Sequence, residues 1–85
     1  MKKENLVQII ETIKKESVPF VPKDIYQKNN LNFSYKTFFR GIIKLIELNC
    51  LEGKKVSHGR GKGINYEIVF IDRDRLGEVK NGINR

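Results

Sequence analysis

Cys50 and His58 are the one thiol and the one imidazole in the chain, and they bound the covalent and metal chemistry open to it. As a pair they would be a nucleophile and its base. A lone cysteine opening an apolar segment behind a helix is far more often a small core residue, and Cys50 is expected to be one. Two such residues also fall short of the three or four ligands a zinc site draws on, and one cysteine makes no internal disulfide. The acid pairs Asp72 with Asp74 and Glu47 with Glu52 stand in solvated, charge-mixed stretches that would not raise a carboxylate towards acid–base work. His58-Gly59-Arg60-Gly61-Lys62-Gly63 resembles a phosphate loop at first sight, but it has neither the four-residue gap nor the strand-to-helix setting that such a loop needs. The sequon Asn32-Phe33-Ser34 matters only in a secreted protein. No enzymatic activity, cofactor, metal or small-molecule ligand is therefore expected.

What remains is charge. Seventeen basic residues against ten acidic ones leave a net charge of +7 in 85 residues, and a small basic domain is drawn to polyanions by counterion release and long-range attraction. Charge alone fits DNA, RNA or an anionic membrane. The chain is long enough for one domain that buries on the order of 60% of its extended surface. With 39% hydrophobic and 32% charged residues it reads as neither disordered nor membrane-spanning. Met1-Lys2-Lys3 looks like the start of a leader, but Glu4, Glu11, Lys14 and Lys15 interrupt what would be its apolar stretch. The expected location is the cytoplasm, in association with the nucleoid if the source is prokaryotic or viral, with no membrane partner.

Stepping along the chain, Leu6, Ile9, Ile10 and Ile13 recur at helical spacing and predict a first helix over Lys3–Glu16. Pro19 and Pro22 break it, leaving room for a very short strand at Val18–Val21. Pro22 and Asp24 suit the start of a second helix that runs to about Lys28 and turns Ile25 and Tyr26 inward. Ser34 is placed to cap a third helix over Tyr35–Leu48, with Phe33 stapling onto Phe38. At about 100° per residue, Phe38, Ile42, Leu45 and Ile46 share its buried side, while Lys36, Arg40, Lys44 and Glu47 lie within about 80° of each other on the other. Gly41 flanks the buried side. Asn49 fits the left-handed residue that ends many helices. Strands are expected at Cys50–Ser57 and Ile64–Ile71, joined by the glycine-dense tip. Simple alternation puts Tyr66, Ile68 and Phe70 on the packed face and commits Phe33, Phe38 and Phe70 to the core. Residues 1–71 form the domain, and 72–85 a charged tail that allows a short helix with Leu76 and Val79 on one face. Phe39 and Ile43, at the edge of the third helix's apolar sector, are open to two readings: cover by the first helix or the tail, or a dimer or thymine-methyl contact.

Helix, short strand, helix, turn, helix and glycine-tipped hairpin make an α+β order, and SYKTFFRGIIKLIELNCLEG (Ser34 to Gly53) resembles a winged-helix recognition helix running into its wing. The likeness covers Leu6 to Phe70, with Asn49 where glycine is usual. It implies a winged helix-turn-helix domain: a three-helix bundle plus a β-hairpin wing, with the third helix in the major groove and the wing on the flanking backbone or minor groove. Carried over, Tyr35, Lys36, Thr37 and Arg40 fall on the base-reading part, Arg40 being suited to a guanine edge. Ser34 is a cap first and a phosphate contact second. Lys44, Lys54 and Lys55 would meet phosphate, and Arg60 and Lys62, with His58 beside them, would reach a minor groove from the wing.

From Ser34 to Gly63 there are seven cations against two acids, which is five of the net +7. Charge is gathered on the two elements that such a fold presents to DNA. The expectation is a double-stranded-DNA-binding protein that regulates transcription sequence-specifically, as a homodimer spanning half-sites about one helical turn apart. Its rivals are a winged helix used for protein contact in a larger assembly, a non-specific chromatin or replication DNA binder, and a binder of RNA or single strands.

Overall fold

The computed structural model describes residues 2–57 and 64–83. Three helices, α1 (Lys3–Ile13), α2 (Pro22–Lys28) and α3 (Tyr35–Glu47), precede an antiparallel hairpin of β1 (Leu51–Ser57) and β2 (Ile64–Ile71), and a fourth helix, α4 (Arg73–Ile83), closes the chain. This is the expected α+β arrangement, with the hairpin in a wing-like position after the third helix.

α1 buries Ile9, Ile10 and Ile13. It stops at Ile13 and not at Glu16, because the amide of Glu16 folds back onto the carbonyl of Ile13 and the chain turns. Carbonyls freed at this end need partners, and Arg73 supplies them: its Nε donates to Lys14 O at 3.1 Å and its Nη2 to Glu16 O at 2.8 Å. The short strand expected at Val18–Val21 is a single residue. Phe20 exchanges both backbone hydrogen bonds with Ile68, at 3.0 and 2.7 Å, and Pro22, the next position that would continue the ladder, has no amide to offer.

α2 opens on Pro22 as expected, and Asn29 Nδ2 donates to Ile25 O at 2.7 Å at its far end. Tyr26 then pins the turn into α3 by donating its hydroxyl to Phe33 O at 2.6 Å. The α3 start is set by Ser34, whose Oγ accepts from the Thr37 amide at 3.3 Å. Phe38, Gly41, Ile42 and Leu45 are buried. Asn49 takes φ 63°, the left-handed conformation an asparagine tolerates better than most residues, and it swings the chain into β1.

The hairpin departs from simple alternation. Glu52 pairs with Phe70 and Gly53 with Ile68, so Val69 is an extra residue in β2. A bulge of this kind reverses the facing of everything beyond it. Ile68 is fully buried as expected, but Phe70 is 49% exposed and Ile71 takes its place in the core. The assignment of Phe70 to the packed face is thus corrected by one inserted residue. Gly53, at the bulge, lies so close to α3 that a Cβ there would meet Ile46 Cδ1 at 3.2 Å and Ile68 Cδ1 at 3.3 Å.

α4 occupies the stretch read from sequence as a charged tail, and it is three turns long. Asp72 Oδ1 accepts from the Arg75 amide at 3.1 Å at its start. Leu76, 1% exposed, belongs to the same apolar cluster as Ile9, Phe38, Leu45 and Ile68, with Val79 and Ile83 packed beside it. Arg75 Nε donates to Leu48 O at 2.6 Å, and Lys80 pairs with Glu11 of α1.

Candidate nucleic-acid interface

α3 carries the candidate surface, and its own sequence explains why. The apolar residues at three- and four-residue spacing fix which side is buried, so Lys36, Arg40 and Lys44 must face outward, and all three are exposed. Glu47 follows at the far end. Among the described residues none of the three cations forms an ion pair. No acid stands in the first turn of the helix.

The neighbouring residues divide by flank. Ser34 is exposed but has its hydroxyl engaged at the cap, 3.3 Å from Thr37 Oγ1. Thr37 is half-buried. Tyr35 does not stand beside Lys36; its ring lies 5.5 Å from Tyr26, 6.5 Å from Phe38 and 6.0 Å from Phe39, and burial pushes its phenol above the ordinary 10.0. The structure therefore gathers Lys36, Arg40 and Lys44 into one strip and turns Tyr35 into the seam beside it.

On one flank of that strip is the hairpin. Phe39 meets Tyr66 of β2 at 5.6 Å between ring centroids, so the hairpin leans on α3 through an aromatic contact. Lys54 and Lys55 are both exposed, and as successive strand residues they face opposite ways. Lys54 already has a partner, Glu67 across the strands at 3.5 Å; Lys55 sits opposite Tyr66 in the register. His58, Arg60 and Lys62 lie outside the described residues.

The other flank holds what the sequence reading missed. A groove of about 390 Å³ runs between α3 and the start of α1, lined by Lys2, Lys3 and Leu6 on one side, Thr37, Arg40 and Lys44 on the other, and Ile83 of α4. Four cations and no acid line it. No local signal marks Lys2 and Lys3, because their neighbours in space are more than thirty residues away in sequence. No protein-family model, curated protein or solved structure matches the chain.

Cys50 is fully buried, and burial pushes its thiol above the ordinary 9.0, with Arg75 only partly offsetting this. A protonated, enclosed thiol is a poor nucleophile. Among the described residues no helix is long and apolar enough to cross a membrane. Phe39 and Ile43 remain partly exposed and stand apart from the residues packed on the core; the rings resting on Phe39 belong to Tyr35 and Tyr66, not to α1 or α4.

Proposed function

We propose that this chain is a winged helix-turn-helix protein that binds double-stranded DNA and regulates transcription. α3 enters the major groove, Arg40 and Lys36 reach the base edges, and Lys44 meets a phosphate. The hairpin, through Lys55 and the tip residues Arg60 and Lys62, lies along one bordering strand. Lys2 and Lys3 lie along the other. The observation that carries this reading is the strip of Lys36, Arg40 and Lys44, exposed, without an acidic partner among the described residues, on a helix whose start is fixed by a cap. Such a strip is left unneutralised at some electrostatic cost, and a polyanion removes that cost. One α3 reads only a few base pairs, so the working form is a homodimer.

A protein-contact module is the second reading, and one feature favours it. Val18, Val69 and Phe70 are exposed, and each lies within two residues of the Phe20–Ile68 bridge in sequence. Three side chains are within the apolar patch size of an ordinary monomer, and they fit the contact a dimer would use.

Fluorescence anisotropy of a labelled random duplex, titrated from low to moderate salt with single-stranded DNA and RNA in parallel, tests the reading. A duplex preference with a log–log salt slope of roughly −4 to −6 is expected. Absence of binding at low salt would overturn it.

A further inference from the structure

We infer that Phe39 and Ile43 give α3 a preference for thymine, and this rests on the DNA reading above. On a helix with about 100° per residue, Ile43 lies about 20° from Lys36, about 60° from Arg40 and about 100° from Lys44, so it borders the presented strip on its hairpin side. Phe39 lies one turn earlier along the same border, about 60° from Lys36. Both are partly exposed and outside the core cluster. Phe39 is steadied by the rings of Tyr35 and Tyr66, at 6.0 and 5.6 Å, so it is held in place without being covered.

An apolar pair bordering unneutralised cations suits an occupant that is anionic and carries apolar groups beside its charges. Duplex DNA offers both. The phosphates border the major groove, and the C5-methyl of thymine is the one apolar group the bases present there. A protein partner would have to bring several acids to Lys36, Arg40 and Lys44 and an apolar surface beside them. The cations hold the helix in the groove with or without the methyl groups; Phe39 and Ile43 distinguish thymine from the other bases by covering its methyl. Each methyl so covered is expected to tighten binding by about fourfold.

The test compares two 24-base-pair duplexes of alternating A and T, one of which carries deoxyuridine in place of every thymine, so that the two differ only in the methyl groups. The wild type is expected to bind the thymine duplex about four- to fifteen-fold more tightly. Ile43→Ala and Phe39→Ala should each narrow that ratio, with affinity for the deoxyuridine duplex nearly unchanged, whereas Arg40→Ala should weaken both duplexes alike. Thermal unfolding of each variant checks that it is folded, and Phe39→Leu, which keeps an apolar side chain, should retain part of the ratio. Equal affinity of the wild type for the two duplexes overturns the inference and leaves the DNA reading standing. A thymine preference that persists undiminished in both alanine variants also overturns it, because it would then come from duplex shape. Failure to bind either duplex at low salt overturns the inference and the DNA reading together.

Discussion

The cations of this chain are used in two opposite ways. Around the end of α1 Lys14 and Lys80 share Glu11, Lys28 meets Glu16 and Arg73 fills the carbonyls of Lys14 and Glu16, while Arg75 fills that of Leu48 at the end of α3. Along α3 and the start of α1, Lys2, Lys3, Lys36, Arg40 and Lys44 have no acidic partner among the described residues. The two regions have similar composition but differ in where the acids were placed. Exposed ion pairs stabilise little, so the pairing matters less for stability than for neutralisation. In one region the cations are engaged by protein partners, and in the other they are left without an acidic one. A net charge spread evenly would attract a polyanion without orienting it; a strip of unpaired cations on one helix would also orient it.

The largest expected effect would break this comparison outright. Lys36→Ala/Arg40→Ala/Lys44→Ala and Lys14→Ala/Lys28→Ala/Lys80→Ala remove the same three charges from the two regions. At about 0.1 M salt the first variant should lose about 100- to 1000-fold in affinity for a random duplex, with a salt slope shallower by about three. The second should lose less than about threefold in affinity and about 1 kcal/mol in unfolding free energy by urea titration. Equal losses in affinity would mean that only net charge matters.

A smaller effect would sharpen it at the hairpin. Lys54 is paired like the cations around the end of α1, although it stands on an element proposed to face DNA. Glu67→Gln would release it. Affinity measured by anisotropy should then rise about two- to threefold, with the slope steeper by no more than one; an unchanged affinity would place Lys54 outside the interface.

The smallest effect concerns pH, and it touches both regions. Cys50 beneath α4 and Tyr35 beside α3 both have their proton held more tightly in the folded state through burial. For groups of this kind the stabilising contribution is full below the unfolded value and declines as pH rises past it, since the unfolded chain releases the proton first. Urea midpoints should therefore be flat up to about pH 9, the ordinary thiol value, and fall above it. In Cys50→Ala the fall should begin later, near the ordinary phenol value of 10.0. An identical pH profile in the variant would remove Cys50 as its source.

Features written within a few neighbouring residues were legible from the sequence. Pro22 at a helix start, Ser34 as a cap and Asn49 as a left-handed stop each act through their own backbone, and each was placed correctly. The alternation of Ile68 was legible too, but the exposure of Phe70 was not, because the inserted Val69 is visible only against its partner strand. α4 was underestimated for a related reason. Its stripe of Leu76, Val79 and Ile83 is thin and carries two glycines, Gly77 and Gly82, and the helix is held by partners at Lys14, Glu16 and Leu48 far back in the chain. At the candidate site, the strip of Lys36, Arg40 and Lys44 followed from the helical period. Lys2 and Lys3 did not, since only the packing of α1 on α3 brings them there; Tyr35 falls by the helical period about 60° from Phe38 and about 20° from Ile42, the side on which its aromatic neighbours lie.

The bulge at Glu52–Gly53 also has a mechanical meaning. It sits at the root of the hairpin, where Gly53 rests on Ile46, and bulges bend and twist the strand that carries them. From Gly53 to Ser57 the strand extends about 13 Å at roughly 3.3 Å per residue, so a change of about 10° at the root displaces the far end by about 2 Å, close to the difference between a made and a missed hydrogen bond. The hairpin is a lever with its fulcrum in the core, and the aim of its basic residues is set by the small, tightly fitted glycine at its base.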